Sequence, residues 1–511
     1  MGTVTAATAP GHAGALRRVA SPWTITLALA GALGLALRVW TYRNAAGVPD
    51  SDEAVVGLMV RHILHGQLTT FFWGQAYGGS QEALVTAPIF WIFGSSWLAL
   101  RIVPICLSAV AALVVWRVGL RLMSERAAAT AAALFWIWPP FLIYKLTHQW
   151  GFYASGVLYC VLLLLLGLRV VELPSAGRAA LFGLVLGLAV WETEQVVPVA
   201  IPLLAWMSLR RPAWLRKLWA AVPAAILGVL PSIVYNVRHG FASFHSTVPD
   251  TTTYQHRLRL FFSPLLPLLL GLREDYTQRR IIPSSFLTLA ILAALVCLFF
   301  WGAWRAQRRP MFLLYVIVVV YPFIYAIPAE TMFEGDPKYL VVLAPILVLL
   351  FAQLATTYRR ALGLLAVAGV LSVVSLQRLD HYYATTPQQP PVAPRDIGPL
   401  VSTLDRLGLN RVYSTFWVAY RLDFDTRERI VASQSKLERV HLVGGVLRPL
   451  HNPLARWHPY ERDVDAAPHP GFVFFKAALG DAGATLRTLA AHGYRRVPVG
   501  PFVVYAPPKT G

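Results

Sequence analysis

The stretch "NAAGVPDSDEAVVGLMVRHILHGQ", Asn44 to Gln67, follows directly on a run of apolar residues and carries two adjacent acids, Asp52 and Glu53. Acids are scarce in this chain, 25 Asp and Glu against 45 Lys and Arg. A pair of them at the mouth of a hydrophobic segment therefore asks for a reason, and the reason depends on which side of a membrane the stretch faces.

Composition makes the membrane the first question. Of 511 residues, 56% are hydrophobic and 14% charged, with a mean hydropathy of +0.54. A soluble protein of that size needs far more polar surface. An apolar run of about 20 residues crosses the hydrocarbon layer, and several runs here qualify. The 17 Trp and 20 Tyr suit interfacial belts. The formal charge of +20 has no basic arm or RNA-binding motif beside it, which speaks against nucleic acid. Cytoplasmic loops, membrane lipids and phosphate ligands account for it better. Cys106, Cys160 and Cys297 all fall inside apolar runs, so there is neither a disulfide framework nor a zinc-type cysteine spacing. Arg17-Arg18 ahead of Trp23 to Trp40 looks like a signal sequence, but the run is long for a cleavable one and reads as an uncleaved first span.

Working outward from the acidic loop, spans are expected near 22–40, 98–120, 127–145, 152–171, 179–192, 195–209, 218–236, 284–304, 311–328, 338–357 and 361–377. The fold class is thus an α-helical polytopic membrane protein of about eleven crossings with a small C-terminal α/β extracytoplasmic domain. Its parts are a cytoplasmic tail (1–21), a transmembrane region (22–379, first outer loop 41–97) and the α/β domain (380–511). With the N-terminus in the cytoplasm, Arg117, Arg121, Arg126, Arg178, Arg210, Arg211, Arg216, Lys217, Arg305, Arg308, Arg309, Arg359 and Arg360 fall inside, as the positive-inside rule wants. The outer loop 237–283 also holds arginines, but a loop of that length is a weak topology signal. Asp52, Glu53, Glu82, Glu192, Glu194, Glu330, Glu334 and Asp336 all land on the outer face.

After Leu376 the texture changes. Strand-like pieces (411–416, 429–432, 471–476, 494–499, 502–506) alternate with helical ones (396–407, 482–492), behind a stiff linker "TTPQQPPVAP". There is no internal repeat and no P-loop, which removes nucleotide hydrolysis.

Within the first outer loop, Ala54, Val55, Leu58, Met59 and Ile63 recur at helical spacing with Arg61, His62 and His65 off the stripe. The segment is too short to span and suits a helix lying in the interface. "YGGS" (Tyr77–Ser80) leads to a second such helix from Glu82 to Phe93. Ser51, Asp52 and Glu53 are good first-turn residues, so capping is the plain reading. Acids facing a membrane cavity are costly unless they pair or act, and that favours catalysis.

The succession "DSDEAVVGLMVRHILHG", "FFWGQAYGGSQEALVTAPIFWIFG", "ALRIVPICLSAVAALVVWRVGLRL", then "PSIVYNVRHG" (Pro231–Gly240) and "DPKYLVVLAPILVLL" (Asp336–Leu350) resembles the GT-C superfamily of membrane glycosyltransferases. It is similar to the bacterial branch of aminoarabinose lipid A transferases and protein O-mannosyltransferases, in element order over most of residues 22–377. The resemblance implies that Asp52 is the general base on the acceptor and that Lys338 holds the donor's lipid phosphate, with Tyr339 beside it. It also implies a polyprenyl-phosphate sugar as donor and a lipid, glycan or protein as acceptor, in the cytoplasmic (inner) membrane. The chemistry agrees: displacement at the anomeric carbon with inversion needs a carboxylate to take the acceptor proton and a cation to steady the departing phosphate.

Further candidates each have a plain alternative. Glu53 joins Asp52 as a catalytic acid, or caps the helix. Glu82 sits where relatives carry an acid near phosphate or metal, or caps the second helix. His148 and Gln149 in "KLTHQWGFY" occupy a place where relatives often complete a metal site with an acid, which this chain lacks. A divalent cation, held by Asp52 and Glu82 if at all, is therefore not demanded by the sequence. Glu192 and Asn236 are cavity candidates; Arg61 assists with phosphate or snorkels toward head groups. Trp417, Tyr420 and Arg421 stack on a sugar or pack a core. The competing class is a multi-span lipid or glycan transporter or flippase without transferase chemistry. Such folds often show two matching halves and interrupted helices, and neither is seen.

Overall fold

A computed structural model describes residues 21–245, 251–387 and 394–508. The N-terminal tail (1–20) and linker residues 388–393 lie outside it. Ser21 starts the first helix by accepting from the Thr24 amide at 3.2 Å, with Pro22 next to it, the usual start signal of a capping hydroxyl and an N1 proline.

Helix α1 (Pro22–Arg43) leads into the first loop, which holds α2 (Ser51–Leu64) and α3 (Gln81–Phe93). Then come α4 (Trp97–Leu122), α5 (Glu125–Ile137), α6 (Pro140–Lys145), α7 (Tyr153–Glu172), α8 (Ala176–Glu192), α9 (Val197–Arg210) and α10 (Leu218–Arg238). A long loop with α11 (Tyr254–Leu260) and α12 (Leu266–Leu269) precedes α13 (Ser285–Ala306), α14 (Phe312–Tyr325), α15 (Ala344–Ala352) and α16 (Tyr358–Thr385). Every apolar run expected to cross is helical. Among the described residues, six helices are long and apolar enough to span: Pro22–Arg43, Trp97–Leu122, Tyr153–Glu172, Pro212–Arg238, Ser285–Ala306 and Tyr358–Thr385. The other five runs are shorter or broken. The run at 127–145 divides into α5 and α6 because Pro139 and Pro140 supply no backbone N–H and push Trp138 into extended backbone. The run at 338–357 opens as a 3-10 turn, Lys338–Leu343, before α15.

The C-terminal part is an α/β unit with α17 (Gly398–Arg406), α18 (Phe416–Asp425), α19 (His458–Asp465) and α20 (Gly483–Ala491). Its five-stranded sheet runs in the order β2 (Val431–Gln434), β1 (Arg411–Ser414), β5 (Gly471–Phe475), β7 (Phe502–Ala506), β6 (Arg495–Val499). Pairs β2–β1 and β1–β5 are parallel, with Val412 opposite Gly471; β5–β7 and β7–β6 are antiparallel, with Val473 opposite Val504. All five strand-like pieces of the sequence are therefore in one sheet. A hairpin of β3 (Lys436–Val443) and β4 (Val446–Leu450), with α18 and α19, was not anticipated.

The two parts are packed together, and this changes the reading of α2. An interfacial helix should keep one wet face, yet Glu53 to Val60 are all buried. The face expected to meet water is covered by α18: Gly57 lies so close to the Phe424 ring that a Cβ would stand 2.3 Å from it. Ser51 Oγ donates to the Phe416 carbonyl at 2.6 Å, and Arg61 Nη2 to that of Phe424 at 2.8 Å. Trp73 and Trp457 stack at 4.1 Å. Buried Arg421 donates to the carbonyls of Pro394, Arg395 and, at 3.3 Å, Pro49. By contrast α3 leaves Trp91, Ile92 and Phe93 exposed, as an in-plane helix against lipid should.

Candidate active site

At the start of α2 three acids fall within four positions, and the helix geometry sends them in different directions. Asp50 is the N-cap: its Oδ1 accepts from the Glu53 amide at 3.0 Å, and its Oδ2 from Trp150 Nε1 at 2.6 Å. Dry surroundings, with Asp52 and Glu53 adding repulsion, push its carboxyl up to about 7. Asp52 turns into a cavity of about 340 Å³. Glu53 turns the other way, into the protein.

That cavity brings together residues from distant parts of the chain. Besides Asp50 and Asp52 it is lined by Lys145 at the end of α6, by Asp336, Lys338 and Tyr339 ahead of α15, and by Trp417 and Arg456 of the α/β domain. Arg456 Nη2 stands 3.8 Å from Asp52 Oδ1, and Lys338 Nζ 3.8 Å from Asp336 Oδ2. Lys338 also lies 4.0 Å over the Phe333 ring. Lys145 is 7% exposed and has no ion pair among the described residues. Its ammonium rests instead over the rings of Trp150, at 3.9 Å, and Tyr153, at 4.3 Å. Rings hold a cation without neutralising it, so Lys145, Lys338 and Arg456 present positive charge to whatever anion enters. Tyr144 and Tyr383 hydroxyls, 2.8 Å apart, close another wall.

A second cavity, about 600 Å³, adjoins the first across Tyr77, Phe152 and Tyr339, which line both. Its walls are largely apolar, including Val197, Pro198, Ile201, Ile324 and Ile327.

Of the residues singled out from sequence, Asp52, Lys338, Tyr339 and Trp417 line the cavity together with Asp336, whereas Glu53, Arg61, Glu82, His148, Gln149, Glu192 and Asn236 do not. Glu53 is fully buried and clasped by Arg101, whose Nε donates to Oε1 at 2.7 Å and whose Nη2 donates to Oε2; the Gln149 amide adds a bond at 2.8 Å. Burial alone would raise its carboxyl, but the Arg101 charge and hydrogen bonds hold it below the ordinary glutamate value. It is a paired, structural carboxylate. Arg61 is spent on Ser95, at 2.9 Å, and on the Phe424 carbonyl and ring. His148 stacks on Trp150 at 4.5 Å and donates from Nδ1 to the Tyr144 carbonyl at 3.0 Å. Burial, then Arg101, pushes it down to about 4, so it is neutral. Gln149 Nε2 reaches only Thr86 Oγ1, at 3.4 Å. Asn236 closes the end of α10 on Ser243.

Glu82 and Glu192 are held behind the cavity wall by one hydroxyl. Ser155 Oγ lies 2.8 Å from Glu82 Oε1 and 2.6 Å from Glu192 Oε1, and the Ser155 amide donates to Glu82 at 2.7 Å. Since Asp52 lines the cavity and Glu82 does not, the two do not form a cation site together. Lys145, Asp50 and Arg456 were missed. A lysine ending an apolar run was a faint signal for the first; nothing local marks Arg456.

No protein-family model matches the sequence, and no curated protein does. Among solved structures, ArnT from Cupriavidus metallidurans in the apo state superposes with a TM-score of 0.63 at 15% identity, over 95% of this chain and 98% of that one. The same protein bound to undecaprenyl phosphate gives 0.59 at 14% identity over the same shares. An oligosaccharyltransferase from Archaeoglobus fulgidus reaches only 0.46 at 12% identity, over 94% of this chain and 73% of that one. Over 95% of its length the chain therefore shares the fold of ArnT from Cupriavidus metallidurans.

Proposed function

We propose that the chain is an integral-membrane glycosyltransferase that moves a sugar from a polyprenyl-phosphate carrier to an envelope acceptor on the extracytoplasmic face. The observation that carries this reading is one cavity lined by the carboxylate of Asp52, with Asp50 and Asp336, and by three cations, Lys145, Lys338 and Arg456. It opens beside an apolar cavity of about 600 Å³. Such a pair of compartments matches a ligand with a phosphate head and an isoprenoid tail. ArnT, whose fold the chain shares, has been crystallised with undecaprenyl phosphate.

In this reading Lys338, Tyr339, Lys145 and Arg456 surround the carrier phosphate, and the tail lies toward Ile201 and Ile324. Asp52 accepts the proton of an acceptor hydroxyl or amine. The acceptor's oxygen or nitrogen bonds to the anomeric carbon from the face opposite the phosphate, the carbon–oxygen bond to phosphate breaks, and the configuration inverts. The cations take up the charge of the departing polyprenyl phosphate. Asp50, with its carboxyl up at about 7, retains a proton part of the time and spares Asp52 a full neighbouring charge. The acceptor is a lipid, a glycan or a protein, and the membrane is the cytoplasmic one, with the α/β domain outside.

The test is transfer from radiolabelled polyprenyl-phosphate sugar in reconstituted membranes. Loss of a positioned general base costs roughly 10²–10⁴-fold in rate. Asp52→Asn should lose transfer by that much while still binding carrier. Full activity in the variant would remove Asp52 from this role, and absence of any glycosidic product from wild type would favour the flippase reading.

A further inference from the structure

In the α/β domain, β4 and α19 bring two imidazoles onto one carboxylate. His451 follows β4; His458 and Glu461 sit three apart on α19, so they share a face of the helix. His451 Nδ1 lies 2.8 Å from Glu461 Oε1 and His458 Nδ1 3.2 Å from Glu461 Oε2. The two rings stack at 5.4 Å, inclined by 27°. One ligand atom from each residue falls within 4.8 Å of the others. Glu461 is 14% exposed, whereas His451 and His458 are 66% and 47% exposed, which leaves one side open.

We propose that His451, His458 and Glu461 form a site for a divalent transition ion of the zinc class. Two imidazoles and a carboxylate are the donor set of open zinc sites, and imidazole is the ligand such ions seek. Bonds of about 2.0–2.1 Å set tetrahedral ligands roughly 3.4 Å apart; the two Nδ1 atoms lie against different oxygens of Glu461, at 2.8 and 3.2 Å, and one atom from each residue falls within 4.8 Å of the others, so the side chains close round one ion by small rotations. One ion bound at the two Nδ1 atoms and a Glu461 oxygen takes the place of the hydrogen bonds that now join them. The fourth position opens on a groove also lined by His441, Arg448 and Asp465, where water or a small anion completes the shell.

The site has a structural consequence. The segment between its ligands carries Arg456, which faces Asp52, and Trp457, which stacks on Trp73. An ion joining His451 to α19 closes this segment at both ends.

The experiment titrates zinc ion against a chromophoric chelator with the purified full chain, free of any affinity tag. One saturable equivalent is expected. Losing a direct ligand should weaken it by more than the roughly 10–100-fold that loss of a supporting partner costs, in both His451→Ala and Glu461→Gln. His492→Ala, at the C-cap of α20, should bind as wild type does. Each variant is checked for monodispersity, and the exposed His458→Gln stands in if one fails to fold. No saturable binding by wild type, or binding unchanged in the ligand variants, overturns the proposal.

Discussion

Glu53 and Asp52 are neighbours in the chain and have opposite surroundings, so their replacements should fail differently. Removing the charge of Glu53 leaves the Arg101 guanidinium, 1% exposed, without its partner. Breaking a buried pair in this way costs about 3–5 kcal/mol. Glu53→Gln is therefore expected to lower the melting temperature in detergent sharply, while Asp52→Asn, half-exposed and only loosely paired with Arg456 at 3.8 Å, should melt as wild type does. Equal melting of the two would show that the Arg101 pair does not hold α2. Lys145 poses the complementary question, since its ammonium rests over rings and has no ion pair among the described residues. A hydrogen bond to a charged group contributes about 1.5–3 kcal/mol, which is roughly 10–100-fold in affinity. Lys145→Met keeps the volume and removes the charge, so it should weaken carrier binding by that factor and leave stability intact or improved. Equilibrium binding of fluorescent polyprenyl phosphate measures it, and unchanged affinity would take Lys145 out of the phosphate site.

Among the elements, α8 and α10 make the closest approach. Gly183 and Gly187 face α10, and a Cβ on either would stand 2.0 Å from a backbone carbonyl, that of Ala221 or Ala225; Gly228 returns the contact at 2.5 Å from Leu184. Small residues at this spacing let two helices pack backbone to backbone where lipid offers no hydrophobic drive. Gly187→Val cannot be absorbed by moving a side chain, because the obstacle is main chain. Its cost should reach or exceed the roughly 1–3 kcal/mol of ordinary overpacking, read as lost folded yield in fluorescence-detected size exclusion. A variant of normal yield and melting would contradict the close approach. The spacing was in the sequence, but a Gly pair gains meaning only once its partner helix is known. The same holds for α2: its apolar stripe was legible and its full burial was not, because Phe424 and its neighbours come from the far end of the chain.

For the molecule as a whole, the candidate site belongs to both parts. Trp417 and Arg456 enter the cavity from the α/β domain, and Arg421 and Ser51 tie that domain to the first loop. A chain ending at Thr385, after α16, is thus expected to insert but to show no transfer per inserted molecule, in the same radiolabel assay. Retained transfer would mean that the membrane part carries the site alone. Composition by itself determined that the chain lives in a membrane, because apolar excess over some 20-residue lengths has no other solvent. Local pattern then placed the apolar helices, the five strands of the larger sheet and the acidic loop with Asp52, since periodicity and capping act within a few residues. The tertiary structure alone decided which acid faces the cavity, which is neutralised by Arg101, and that Lys145 and Arg456 meet Lys338 there. Pairing between charges is a matter of distance in space, and no spacing along the chain encodes a partner hundreds of residues away.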